Sequence, residues 1–310
     1  MATSVTITGT GCPIPDAHRA GPGVLVRYAP DDAPVSEHVT LQFDAGRGTV
    51  TRLAAANVWI PDLTAVFLTH YHSDHVSGLY DLVQTCWIMD RADKRQGIPV
   101  IAPNGASIDF ASTLFDATTA DVEVRAAHTG RASRPGVQPV GFDAPPSPAE
   151  VWAGADGAVR VSASQVRHEP VVDAVGYRVD TPDGSVVITG DTKVCDEVAV
   201  LAQGCDVLVY EAMRFSFFDD LPAHRHFVMD YHADTKMLGA QAAEIGVSKL
   251  VLTHLIPAPT TDAERQLFVD EVRAGGYEGE VVVADDLYTC AVGDGGLPEV
   301  KAIVGVAEQD

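Results

Sequence analysis

Thr69-His70-Tyr71-His72-Ser73-Asp74-His75 is the segment whose residue types and spacing point most directly to chemistry. His70, His72, Asp74 and His75 fall within six residues, directly after the apolar run 65–68. Where a strand end opens into a tight loop, alternate side chains converge on one spot, which suits His70 and His72. Asp74 and His75 then turn toward a neighbouring spot. Neutral imidazole and carboxylate are good ligands for zinc and similar divalent ions. A solvated, His-rich loop is the bland alternative, outweighed by four donors packed so closely.

One short loop cannot fill two coordination spheres, so further ligands must come from later strand ends. His168 follows the run 159–166, Asp191 stands in Thr189-Gly190-Asp191-Thr192 after 185–188, and His254 follows Leu250-Val251-Leu252-Thr253. Each alone would more often be a strand-end cap, but their repetition beside the first motif favours ligation. Glu211 closes the apolar run 207–210, and His232 lies in Tyr231-His232-Ala233-Asp234-Thr235, opening an alanine-rich helical stretch. The plain reading of His232 is a helix-start residue, with Asp234 as the cap. Phe215, Phe217 and Phe218 suit a pocket wall and a core cluster equally. His224 and His226 read as surface residues that at most line the pocket.

The elements that must hold these residues are short. Alternating or apolar runs predict strands at 5–8, 23–28, 39–43, 65–69, 100–102, 159–166, 174–179, 185–189, 207–210, 249–253 and 281–284. Helical patterns predict 48–56, 76–89, 107–115, 235–245 and 263–274. Strand pairs followed by helices in both halves imply two sheets face to face with helices outside. Segment 131–150 holds five prolines and little periodicity. It reads as a surface connection joining residues 1–130 to 151–310 within a single domain, with a lid beside a cleft as the functional alternative.

Composition narrows the class. The 310 residues are 46% hydrophobic, enough to bury a large core, and 21 Lys and Arg against 43 Asp and Glu leave a formal charge of −22. No basic run offers itself to a phosphate backbone, so no nucleic acid partner is expected. The same charge disfavours an anionic membrane surface. Five cysteines, none in CxxC spacing, read as scattered buried hydrophobes in a reducing, cytoplasmic setting. Neither a signal peptide nor an apolar span of membrane length is expected.

Taken together these motifs resemble the metallo-β-lactamase superfamily, in the branch containing tRNase Z and the zinc arylsulfatase-type hydrolases. The resemblance runs along nearly the whole chain. It includes Gly9-Thr10-Gly11-Cys12-Pro13-Ile14-Pro15 with Arg19 and Gly21-Pro22, the turn Phe43-Asp44-Ala45-Gly46-Arg47-Gly48, and Pro99-Val100-Ile101-Ala102-Pro103-Asn104-Gly105. It implies an α/β fold, a four-layer αβ/βα sandwich, holding two divalent metal ions. Zinc is the first choice, with Mn2+ or Fe2+ open at one site. One site would use His70, His72 and His168, the other Asp74, His75 and His254, with Asp191 bridging. The implied catalytic residues are His232 as proton donor, Glu211 orienting it, and Asp74; Asp44 would orient a ligand from outside. Two adjacent cations lower the pKa of a water and neutralise the oxygens of an electrophile.

The chain departs from the branch in one respect. tRNase Z enzymes usually carry a long protruding arm between the third histidine and the bridging aspartate, whereas His168 and Asp191 are only 23 residues apart. The leading expectation is therefore a metallo-hydrolase of a small ester-like molecule: a sulfate ester, phosphodiester, lactone or related aryl or acyl derivative. The alternatives are a tRNase Z-like RNA 3′-processing endonuclease and a non-catalytic metal-binding sensor of the same fold. A small-molecule substrate is the expected partner, and a homo-oligomer is compatible with the sequence.

Overall fold

A computed structural model describes residues 2–31, 33–34, 37–90, 97–293 and 297. The first part of the chain runs β1 (Ala2–Gly9), β2 (Gly23–Ala29), β3 (Val39–Phe43), α1 (Thr49–Ala55), β4 (Ala65–Phe67), α2 (Ser73–Val76) and α3 (Leu79–Met89). It continues with β5 (Ile98–Pro103), α4 (Ala106–Ser112), α5 (Thr119–Thr129) and β6 (Val137–Phe142). The second part runs β7 (Ala149–Gly154), β8 (Val159–Gln165), β9 (Val175–Thr181), β10 (Gly184–Ile188), α6 (Asp196–Leu201) and β11 (Val207–Met213). It ends with α7 (Thr235–Ile245), β12 (Lys249–Ile256), α8 (Asp262–Ala274), β13 (Glu280–Val283) and β14 (Thr289–Ala291).

The strands form two mixed sheets, ordered β14-β1-β2-β3-β4-β5-β6 and β13-β12-β11-β10-β9-β8-β7. Each sheet is antiparallel on one side and parallel on the other: β3 to β6 are parallel in the first, β10 to β13 in the second. β14 returns from the late part of the chain to pair with β1, antiparallel.

Three apolar clusters mark the three interfaces of a four-layer sandwich. Between the sheets, Ile7, Phe43 and Phe67 meet Val161, Tyr177, Val186 and Val209. Phe43 and Phe67 stack with centroids 4.8 Å apart, and Tyr177 tilts against both at 5.4 Å. Outside the first sheet, Leu53 of α1 and Leu79, Leu82 and Val83 of α3 cover Val66 and Val100. Outside the second, Leu238 and Ala242 of α7 and Phe268 and Val272 of α8 cover Leu208, Leu250 and Leu252. Fully burying one such side chain contributes about 1.5–3 kcal/mol, so the layers are held chiefly by this burial.

Some elements have no counterpart among the expected ones. β6 and β7 lie within or at the end of the Pro-rich segment, as the outer strands of their sheets and largely exposed. Pro139 and Gly141 sit in β6, which an edge strand tolerates because one side of its backbone needs no ladder. The link between them is tied down where the Gln165 amide donates to the Pro145 carbonyl at 2.7 Å. α5 buries only Val122 and Ala126, too sparse a stripe to register as a helical period.

Candidate metal centre

The functional side chains gather where strands of both sheets end. β4 stops at Phe67, and Thr69 opens the loop that carries His70 and His72. That loop is fastened to the opposite sheet: the buried Tyr177 hydroxyl donates to the Leu68 carbonyl at 2.7 Å, and the Val175 amide to the Thr69 carbonyl at 3.0 Å. Asp74 and His75 follow on the single turn α2, both buried. From the second sheet, His168 follows β8, Asp191 follows β10, and His254 lies within β12.

His254 reaches the centre through a bulge. Glu211 of β11 pairs with Thr253 and Ala212 with Leu255, leaving His254 as the extra residue. It takes a left-handed φ of 46°. A bulge re-aims a side chain that regular pleating would send elsewhere. Gly190, at φ 60°, lets the Asp191 turn press against the histidine loop: a Cβ there would lie 2.8 Å from Thr69 Cβ.

Two neighbouring donor groups result, His70, His72, His168 and Asp191 in one and Asp74, His75 and His254 in the other, and a third set, Asp191, His232 and His254, overlaps both; the ligating atoms of each lie within 4.8 Å of one another. His168 Nε2 and His72 Nδ1 are 3.1 Å apart. Asp191 faces both groups, with Oδ1 3.2 Å from His75 Nε2, and Oδ2 3.3 Å from His254 Nε2 and 3.9 Å from His70 Nε2. His254 Nε2 also lies 3.3 Å from Asp74 Oδ2.

Chemistry and satisfaction both fit a cation. His70 Nε2, His75 Nε2 and Asp191 Oδ1 are buried, converge, and have no hydrogen-bond partner among the described residues. Buried polar atoms left this way cost free energy unless something fills their lone pairs. Burial holds the pKa of His70, His72 and His168 below the usual imidazole value, which keeps their lone pairs free for a metal. For Asp191, burial favours the neutral acid, but His254 and His75 outweigh it and keep the group a carboxylate.

Partners outside the two groups set the ring orientations. Asp44, itself at a left-handed φ of 54°, accepts from the Thr69 amide at 2.8 Å and from the Thr69 hydroxyl at 2.9 Å. Its Oδ2 also lies 2.8 Å from His75 Nδ1, which turns His75 Nε2 toward the centre. His168 Nδ1 likewise lies 2.9 Å from the Tyr231 carbonyl. Such outer hydrogen bonds fix which imidazole nitrogen is offered to a metal.

His232 sits beside this centre, its ring stacked on His254 at 5.3 Å and 5.5 Å from that of His168. Its Nδ1 lies 2.8 Å from Glu211 Oε1, which also accepts from the Thr192 amide at 2.9 Å. Burial would lower the imidazole's pKa; the adjoining Glu211 carboxylate outweighs it and pushes the value up to about 9. The segment is anchored to β11, since the Met213 amide donates to the Ala233 carbonyl at 2.9 Å. Asp234 also caps α7, accepting from the Met237 amide at 2.9 Å.

Other expected residues lie apart. Neither His224 nor His226 joins a donor group among the described residues; His226 Nε2 is 3.0 Å from the Leu221 carbonyl. Phe218 is buried while Phe217 is 44% exposed, their rings 5.4 Å apart. The 23-residue interval between His168 and Asp191 is occupied by the hairpin of β9 and β10. Among the described residues no helix is long and apolar enough to cross a membrane.

A sandwich with His and Asp donors converging from both sheets defines a metal-dependent hydrolase fold. The chain belongs to the β-lactamase superfamily, its residues 40–255 matching the family described as "Beta-lactamase superfamily domain". It is 34% identical over 290 residues to the Ribonuclease Z of Mycobacterium bovis, covering 93% of this chain and 98% of that one. Among solved structures it superposes on the metallo-beta-lactamase fold protein YhfI from Bacillus subtilis with TM-score 0.67 and 21% identity, covering 94% and 100% of the two chains. It also superposes on human tRNase Z, short form, with TM-score 0.62 and 22% identity, covering 93% and 98%. At these identities the structural matches speak for the fold.

The expectation of a small-molecule substrate with no nucleic-acid partner is corrected by these relatives, since the sequence match along almost the whole chain is to a ribonuclease. Net charge misled because it sums over the entire surface, whereas a strand is gripped only where it lies.

Proposed function

We propose that this metallo-hydrolase cuts phosphodiester bonds in RNA, as a 3′-processing endonuclease of the ribonuclease Z kind. The observation that carries the reading is His232 held by Glu211 at the lip of the donor groups, on a chain similar throughout to ribonuclease Z. His70, His72 and His168 would hold one divalent ion and Asp74, His75 and His254 another, with Asp191 shared; zinc suits these donors. A metal pair so held supplies an activated water and charge neutralisation at the phosphate. The chain's own part is proton delivery. As water adds to phosphorus and the P–O bond breaks, the departing ribose oxygen takes a proton from His232 Nε2. Glu211 keeps that imidazole charged and aimed. Five cysteines, none in CxxC spacing, suit a reducing compartment.

The test is cleavage of a precursor tRNA by metal-replete protein, with and without chelator. The expected outcome is a single endonucleolytic cut lost with the metal and restored on its return. Chelator-sensitive hydrolysis of small phosphodiesters without any cleavage of RNA would keep the bond class and remove the substrate.

A further inference from the structure

Five rings run in succession through the His70/His72/His168 group: Tyr71, His72, His168, Tyr231 and Phe227. Successive centroids are 5.7, 5.0, 5.4 and 6.3 Å apart. The second and third, His72 and His168, are donors of the His70/His72/His168 group. The outer rings belong to no coordination sphere. Tyr71, although it stands between two ligand candidates, is 38% exposed, and Phe227 is 60% exposed. Large aromatics are thus left to solvent at both ends of a run that passes through two donor histidines. Tyr231 is pinned there by its own carbonyl, which lies 2.9 Å from His168 Nδ1.

Two of the nearby cations are already paired: Arg167, next to His168, donates to Glu197 at 2.8 Å, and Lys193 lies 3.1 Å from Glu169. Arg225, two residues before Phe227, is exposed. An occupant of this surface needs a flat face on each side of a hydrolysable bond. A single-stranded nucleic acid offers that arrangement at every phosphodiester. A duplex does not, because its bases are stacked on one another.

Resting on the RNA reading above, we propose that Tyr71 on one side, and Tyr231 with Phe227 on the other, are the base-binding walls of the site. The substrate is then an unpaired RNA segment. Its scissile phosphate lies over the donor groups, the base on one side of it against Tyr71 and the base on the other against Tyr231 and Phe227. Recognition is by stacking, which tolerates any base, so the specificity is for single-stranded geometry rather than sequence.

The experiment compares the metal-loaded wild type with Phe227→Ala and Tyr71→Ala, and with the ring-preserving Phe227→Tyr and Tyr71→Phe. Three probes are used: an RNA with an unpaired 3′ tail, the same RNA abasic at either nucleotide flanking the cut, and methyl 4-nitrophenyl phosphate. Each alanine variant should raise KM for the intact RNA by about 10-fold or more with kcat little changed, as loss of one stacked base predicts. The abasic RNA should cost the wild type as much, and cost the matching variant nothing further. Ring-preserving variants should restore KM, and kcat for the small ester and the metal content should be unmoved. Equal losses on RNA and the small ester, or full activity of wild type on the abasic RNA, would overturn the walls. A change in oligomeric state with Phe227→Ala and no change in KM for RNA would assign the patch to a second copy of this chain instead. Should the wild type hydrolyse the small ester but no RNA, the RNA reading itself fails and the walls fall with it.

Discussion

His232 is where residue chemistry is most exposed to test. Its proton is useful only if the leaving group needs one. Nitrophenolate departs unaided, whereas a ribose oxygen must be protonated, and general acid catalysis is typically worth about 10²–10⁴-fold. His232→Ala should therefore keep its metals and lose roughly that factor on RNA, but far less on a nitrophenyl phosphodiester. Glu211→Gln should show the same leaving-group pattern with a smaller loss, since Glu211 touches the imidazole and not the substrate. The pH profile carries the sign. Glu211 raises His232 to about 9, so the acid form is present at neutral pH and lost as pH rises. Metal ions held by the donor groups would push that value down, placing the alkaline fall in RNA cleavage at or below about pH 9, with no matching fall for the nitrophenyl ester. A uniform loss across leaving groups, or metal lost with the imidazole, would make His232 structural.

At the scale of elements, the candidate donors stand out in one dimension because they either cluster in 70–75 or follow an apolar run, as His168, Asp191 and His254 do. What held them in place was less readable. The bulge that frees His254 is a matter of pairing between β11 and β12, and the ring run from Tyr71 to Phe227 joins residues distant in sequence. β6 and β7 escaped because exposed edge strands need no alternating apolar face. Close backbone approach is the other hidden constraint. At Gly46 a Cβ would lie 2.4 Å from the Asp74 carbonyl oxygen and 2.4 Å from the Gly21 carbonyl carbon. Both are main chain, so neither can swing aside. Gly46→Ala should push α2 away from its turn, carrying Asp74 and His75 out of register. The expected result is a folded protein, by far-UV circular dichroism, with metal content well below that of the wild type. Full metal content and wild-type activity would show that the turn can absorb the methyl group.

For the whole molecule, the centre lies across the seam between the sheets. His70, His72, Asp74 and His75 come from the first, and His168, Asp191 and His254 from the second. A metal held by both acts as a staple on top of the apolar cluster that already joins them. Removing it leaves buried carboxylates and imidazoles without their partner, at the ends of strands whose packing is otherwise complete. Ligand binding to the folded state alone stabilises by about 2.7 kcal/mol at one hundred times the dissociation constant. For a chain of this size that corresponds to a rise in melting temperature of roughly 4 °C per site filled. Chelated protein should melt lower by at least that much, and added zinc should restore it. Hydrogen exchange should locate the change: amides of the 68–78 loop and the 189–193 turn should lose protection on chelation. The outer helix α5, which carries none of the donors, should be little affected. Unchanged melting temperature with metal verifiably gone would mean that the sheets hold together without the staple, and that the donor groups serve chemistry alone.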